Sequence, residues 1–300
     1  MELRVLRYFL AVAQAESISR AAEQLHLTQP TLSRQLMDLE VSLGTKLFNR
    51  GRRGQKVTLT EEGMFLRKRA EEIITLADRT QAAFENSGDS VAGDVYIGAG
   101  ETDSLRILAQ ACKNLQERCP HVHYHISSGD MYNVEEMLDR GLIDFGVLLS
   151  LADGTKYETL DLPEQNIWGV ILRTDAPLAK KERIRPKDLW DKPLIWPRQD
   201  TSSDTLLQWI GKDLTELNIV ADYSLVYNAS LLADEGLGCT LALDKLINVP
   251  EGGSLCFRPL EPPLATRARI VWKKKQVFSR AAGLFLLELR TQLEQYQDAD

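Results

Sequence analysis

No apolar run in the 300-residue chain approaches the roughly 18 residues that would span a bilayer. The first seventeen residues thread Glu2, Arg4, Arg7 and Glu16 through their apolar positions, the pattern of an amphipathic helix and not of a signal peptide. Cytoplasmic residence, with no membrane partner, is therefore expected. Cysteine is scarce: Cys112, Cys119, Cys239 and Cys256 lie far apart and none forms a CxxC pair, so small, inert thiols are expected. Histidine is equally scarce. His123 and His125 alternate on one strand face, but no Cys or Asp at ligand spacing joins them, and His26 and His121 stand apart. The sequence has no HExxH, GxSxG, GxGxxG or GxxxxGK motif. Glu101 and Asp130 could serve as an acid/base pair, but they read better as helix caps or loop residues. No catalytic residue, metal site or cofactor is expected. The chain reads as a binding protein rather than an enzyme.

The net charge of −7 excludes a uniformly basic coat for nucleic acid, yet the charge is unevenly placed. Residues 1–58 carry nine basic side chains (Arg4, Arg7, Arg20, Arg34, Lys46, Arg50, Arg52, Arg53, Lys56) against five acidic ones. A basic head on an acidic body predicts a polyanion partner for the head alone.

Local patterning in the head gives that partner a shape. Leu3, Leu6, Phe9, Leu10 and Ala13 recur at helical spacing. Ser17 caps a second helix over Ile18 to Leu25, with Ala21, Ala22 and Leu25 inward. Thr28 before Gln29-Pro30 is a strong start signal for a third, because proline in the first turn gives up only an amide the helix leaves unpaired. That helix carries Leu32, Leu36, Leu39 and Leu43 and ends at Gly44. The turn His26-Leu27-Thr28 is short enough for a helix-turn-helix. Gln29, Thr31, Ser33, Arg34 and Gln35 then face out, with the forked donors and acceptors that read base edges in a major groove. Arg50-Gly51-Arg52-Arg53-Gly54-Gln55-Lys56, followed by Val57-Thr58-Leu59, predicts a basic hairpin that presses on phosphates or a minor groove.

Thr60 starts a long helix to about Asn86, whose apolar positions include Met64, Leu66, Ala70, Ile73, Ile74, Ala77 and Phe84. At about 1.5 Å per residue it is too long for a 60-residue module to bury, which predicts dimerisation. Ser87 to Ser90 ends it. Beyond, strands and helices alternate: strands near Asp94–Gly98, His123–Ile126, Asp144–Leu148, Trp168–Leu172, Pro193–Trp196, Ile219–Tyr223 and Arg267–Trp272, with a final helix over Ser279–Tyr296. The alternation predicts two α/β units with a mainly parallel sheet, closing over a small molecule near the strand ends.

The run Phe9-Leu10-Ala11-Val12-Ala13, Ser17 to Leu25, Thr28 to Leu36, Leu39-Glu40, Leu43 to Arg50 and Leu59 to Gly63 resembles the LysR-type transcriptional regulators. The resemblance extends to the organisation of the whole chain. It implies an α/β protein with an N-terminal winged helix-turn-helix (1–59), a linker helix (60–90) and a two-lobed effector domain like periplasmic binding proteins (91–300). Lobe one would comprise about 91–162 and 266–300, and lobe two about 163–265. It implies promoter DNA, a small effector and a homotetrameric dimer of dimers as partners, with contact to RNA polymerase a further possibility. By position, Gln29, Pro30, Thr31, Ser33 and Arg34 match the reading helix, and Arg50, Arg52 and Arg53 the wing. Thr102 matches the family's hydroxyl position for an effector's polar group. Ser104, Ser128, Leu149, Arg198, Gln199, Thr201 and Tyr227 complete the expected cleft wall. An anionic effector is expected, because hydroxyls and free amides at a helix start receive a carboxylate and Arg198 can offer a two-pronged donor. The competing reading is a sensor whose head contacts protein instead of DNA, or an enzyme that turns over the bound metabolite.

Overall fold

The computed structural model describes residues 1–49, 56–85, 91–149, 154–198 and 200–297, excluding the side chains of 82–85, 200–204 and 297. The chain forms two compact units, Met1–Ser87 and Gly88–Asp300.

The first unit opens with α1 (Leu3–Ala15), α2 (Ile18–Gln24) and α3 (Gln29–Leu43). Both predicted caps form: Ser17 accepts from the Arg20 amide and Thr28 from the Thr31 amide, at 3.4 Å each. Gly44 ends α3 in the left-handed region at φ 69°. Phe9, Val12, Ala21, Ala22, Leu32, Leu36 and Leu39 make the core. Leu43 departs from expectation: it is exposed, together with Met37 and Val41. The last turn of α3 has passed beyond α1 and α2, so nothing there covers it.

Two short antiparallel strands, β1 (Phe48–Asn49) and β2 (Thr58–Leu59), form the base of the predicted wing. Its basic tip, with Arg50, Arg52 and Arg53, lies outside the described residues. Helix α4 (Glu61–Glu85) begins at Thr60, whose hydroxyl accepts from the Gly63 amide at 3.0 Å. One face, through Leu66 and Ala70, is buried in the head core, and Arg7 of α1 pairs with Asp78. Met64, Phe65, Ile73 and Leu76 remain exposed. The Phe84 side chain lies outside the described residues.

His26 is a backbone outlier, with φ at 54°. Its side chain is exposed, so no packing compensates the strain of a β-carbon in that region. His26→Gly is expected to stabilise the head by about 0.5–1 kcal/mol. Denaturant unfolding followed by circular dichroism checks this; a loss of stability would show that the imidazole contributes a contact.

The second unit is built on a nine-stranded sheet with the order β4-β3-β5-β11-β6-β9-β7-β8, and β10 added on β6. Its elements are β3 (Ala92–Ala99), α5 (Leu105–Arg118), β4 (His121–Ser128), α6 (Met131–Asp139), β5 (Phe145–Leu148), β6 (Tyr157–Arg173), β7 (Leu194–Pro197), α7 (Asp200–Ile210), β8 (Ile219–Tyr223), α8 (Val226–Asp234), β9 (Cys239–Leu243), β10 (Leu255–Pro259), β11 (Ala265–Lys273) and α9 (Arg280–Gln297). The sheet is mixed, which corrects the mainly parallel expectation. Strand β3 runs parallel to β4 and β5, and β7 parallel to β8 and β9, but β11 is antiparallel to β5 and β6. The reason is connectivity. The chain leaves one half of the sheet on the 17-residue β6 and returns on β11, so the two crossing strands must oppose each other.

Each half has its own core. One gathers Val95, Ile107, Leu115, Phe145, Leu162 and Phe285; the other gathers Trp168, Leu194, Trp196, Leu206, Leu241 and Leu260. Leu149 packs against both. The strand ends and helix starts therefore meet where the two halves face each other.

Candidate functional site

Helix α3 is the element expected to read DNA. Leu32, Leu36 and Leu39 face the core, which at helical spacing turns Gln29, Pro30, Thr31 and Arg34 to solvent and leaves Ser33 and Gln35 half-buried. Arg34 has no acidic partner among the described residues, so its guanidinium fork is free to meet a base edge or phosphate. The Thr28 and Thr31 hydroxyls lie 2.7 Å apart at the helix start. The wing base is fastened to α3 by Glu40, whose Oε1 accepts from the Leu47 amide at 2.8 Å and the Phe48 amide at 3.2 Å. Lys56, counted among the wing's cations, is paired with Glu16 within the head. The pairing holds the Glu16 carboxyl below its ordinary range, chiefly through the Lys56 hydrogen bond.

In the body, the loops after β3, β4 and β5 converge. Ala99 pairs with Ser128 in register, the Gly129 amide donates to Ala99 at 3.0 Å, and the Gly100 amide donates to Val147 at 3.2 Å. Gly100 to Ser104, Ser128 and Leu149 thus lie at one end of the sheet, as predicted. Their side chains are not equivalent. Ser104 is fully buried and Thr102 nearly so. Both turn to Asn166 of β6: the Thr102 hydroxyl donates to Asn166 Oδ1 at 2.5 Å, and Asn166 Nδ2 donates to Ser104 Oγ at 3.1 Å and towards the Thr266 carbonyl at 3.4 Å. The Ser104 amide in turn donates to Thr102 Oγ1 at 3.2 Å. Ser128 is exposed on the edge strand.

The lobe-two residues divide similarly. Arg198 donates to Asp222 at 2.9 Å on an exposed surface. Tyr227 is exposed. Gln199 and the Thr201 side chain lie outside the described residues. The structure therefore joins Thr102 to Ser104, and joins neither to Arg198 by any bond among the described residues.

Asn166 and Glu101 form the contacts that sequence reasoning missed. Asn166 interrupts the strand that leads into Ile167-Trp168-Gly169, a polar residue where burial on both sides is coming. Glu101 does cap a helix, but a remote one. Its Oε2 accepts from the Val226 amide at the start of α8, 125 positions away, at 2.5 Å. Asp130 caps its own helix through the Asn133 amide at 2.9 Å. Tyr223, beside Glu101, donates to the Leu241 carbonyl at 2.8 Å; burial, then the nearby Glu101 charge, push its hydroxyl pKa upward. Among the described residues no group of three or more His, Cys, Asp or Glu is placed to hold a metal. His125 instead bonds Asp94 at 2.8 Å and stacks on Tyr96. Burial pushes the Cys112 thiol up to about 12 and raises Cys239 and Cys256, which leaves little thiolate for redox chemistry at neutral pH. No described helix is long and apolar enough to cross a membrane.

A basic, winged helix-turn-helix followed by a two-lobed α/β body defines a class of DNA-binding regulators with a ligand-responsive domain. Residues 3–64 match the model of the bacterial regulatory helix-turn-helix protein, lysR family, and residues 88–294 match the LysR substrate binding domain. The chain belongs to the LysR family of transcriptional regulators, which act by binding DNA and not by catalysis. It is 30% identical over 284 residues to the Hca operon transcriptional activator HcaR of Escherichia coli K12, covering 92% of this chain and 93% of that one. It is 34% identical over 198 residues to the HTH-type transcriptional regulator BsdA of Bacillus subtilis 168, covering 65% and 66%. In fold it is similar to full-length CbnR, solved in complex with its target DNA: the TM-score is 0.75 at 20% identity, over 97% of this chain and 100% of that one.

Proposed function

We propose that the protein is a sequence-specific regulator that reads promoter DNA through α3 and the wing, and that a small anionic metabolite held between the lobes alters that binding. The observation that carries the DNA reading is the exposed Arg34, without an acidic partner among the described residues, beside Gln29, Pro30, Thr31 and Ser33 on a helix whose other face is the head core. CbnR, similar in fold, has been solved on its target DNA. Arg50, Arg52 and Arg53 supply phosphate contacts from the wing.

Arg34→Ala is expected to cost about 1–3 kcal/mol of discrimination between specific and random duplex. Arg52→Ala should weaken both together and reduce the salt slope by about 0.9. Binding isotherms across a salt series check this, and the reverse pattern would exchange the two roles.

Leu149, touching both cores, and the converging loops at Thr102 and Ser128 favour the cleft as the effector site, with Arg198, Gln199, Thr201 and Tyr227 on the opposite wall. Thermal-shift screening of the full chain with carboxylates, amino acids and sugar phosphates tests this reading. A carboxylate or phosphate hit weakened by Arg198→Ala supports it; a cationic hit contradicts the charge assignment.

Two separate apolar surfaces favour a tetramer: Phe65, Ile73 and Leu76 on α4, and Leu225, Leu231 and Leu232 on or beside α8. Light scattering at micromolar protein is expected to show a mass about four times that of the chain, and a monomer would contradict it.

A further inference from the structure

Two carboxylates of the loop after β3 cross from the first lobe to the second. Helix α8 begins at Leu225 without a side-chain cap of its own. Its first amide, on a residue 1% exposed, donates instead to Glu101. Two residues on, Asp103 lies 3.8 Å from Lys245, just past the end of β9. Between them Thr102 is bound to Asn166 of β6, the strand that joins the lobes. Among the described residues, a cavity beside this contact is bounded by Glu101, Leu149, Trp168, Tyr223, Val226 and Leu243 and measures about 20 Å³, room for a single water-sized body. At this point the Val226 amide is taken by the protein's own Glu101 carboxylate.

We propose that Glu101 is a built-in latch: its carboxylate, seated on the start of α8, holds the lobes together and must leave before an anionic effector can take the Val226 amide. The chemistry requires the exchange. A helix start that receives one carboxylate favours another, and two anions cannot share a single amide. Asp103, largely buried and bonded to Arg106 at 2.7 Å, gives the exposed Lys245 a longer and weaker second tie that lets the loop re-seat. In this arrangement Thr102 and Asn166 act as the pivot on which the loop turns. An effector's binding energy is spent partly on displacing Glu101, and the released loop changes the spacing between the lobes.

This inference rests on the effector reading above, and its primary test does not. Hydrogen exchange at the Val226 amide is measured in the full chain for wild type, Glu101→Ala and Glu101→Gln. Loss of the charged acceptor should speed exchange at Val226 roughly tenfold or more in the alanine variant and by a smaller factor in the glutamine variant. Amides of β3 and of the middle of α5 should be unchanged. Equal rates at Val226 in all three proteins would overturn the latch. If the alanine variant fails to fold, the glutamine variant alone decides. As a second arm, sodium succinate is titrated into wild type and Glu101→Gln. Tighter binding to the variant, by threefold or more, is the expected result, and weaker or equal binding would overturn the competition. Absence of succinate binding to both proteins would speak against the effector reading, while the exchange rates still decide the latch.

Discussion

Replacing Asn166 with alanine is expected to lower the stability of the α/β body by about 2–4 kcal/mol, because it strands two buried hydroxyls at once. Thr102 loses the acceptor of its proton, and Ser104, with no solvent exposure, loses both its donor and its alternative acceptor. The Thr266 carbonyl loses a donor as well. All five tryptophans (168, 190, 196, 209 and 272) lie in the body, so their fluorescence reports this unit alone. A thermal midpoint about 5–15 °C lower by fluorescence is the expected result. An unchanged midpoint would show that the Thr102–Asn166–Ser104 network contributes nothing.

The second large effect belongs to the head. Gly63 sits in the first turn of α4, against the base of the wing. A β-carbon there would stand 2.1 Å from the Leu47 carbonyl oxygen and 3.0 Å from Leu59 Cδ2. That carbonyl cannot retreat, since it accepts from the Thr60 amide at 3.0 Å, and Thr60 also holds Lys46 through its hydroxyl at 2.7 Å. Gly63→Ala must therefore push α4 off the wing base, at about 3 kcal/mol or more. Circular dichroism should show helix lost at lower temperature while tryptophan fluorescence keeps its wild-type midpoint. Specific DNA binding should fall with the head. A parallel drop in fluorescence midpoint would contradict the assignment of this damage to the first unit.

The head was largely legible because its signals are local. Ser17, Thr28 and Gly44 each act within one helical turn, and the strained backbone at His26 was foreshadowed by its place in a tight turn. What escaped was remote. Leu43 continues the apolar spacing of α3 but runs past the elements that could bury it. Glu40 fastens the wing from seven and eight positions upstream. In the body, the individual strands stood out by their apolar runs. The 17-residue length of β6 did not, because Glu164, Gln165 and Asn166 interrupt it with polar side chains where it crosses between the lobes. Strand β10 was missed because Arg258 and Pro259 mask a five-residue run. Thr102 and Ser104 were correctly placed at the strand ends. Their engagement with Asn166, 64 and 62 positions away, has no local signature. The cap made by Glu101 is more remote still.

The central claim is that α3 reads a particular DNA sequence. Footprinting the full-length protein on the promoter region beside its own gene, with Arg34→Ala in parallel, tests it most directly. A protected, partly palindromic site that Arg34→Ala abolishes while general affinity at low salt persists is the predicted result. No protection on that duplex at low salt, or protection that Arg34→Ala leaves intact, would contradict it.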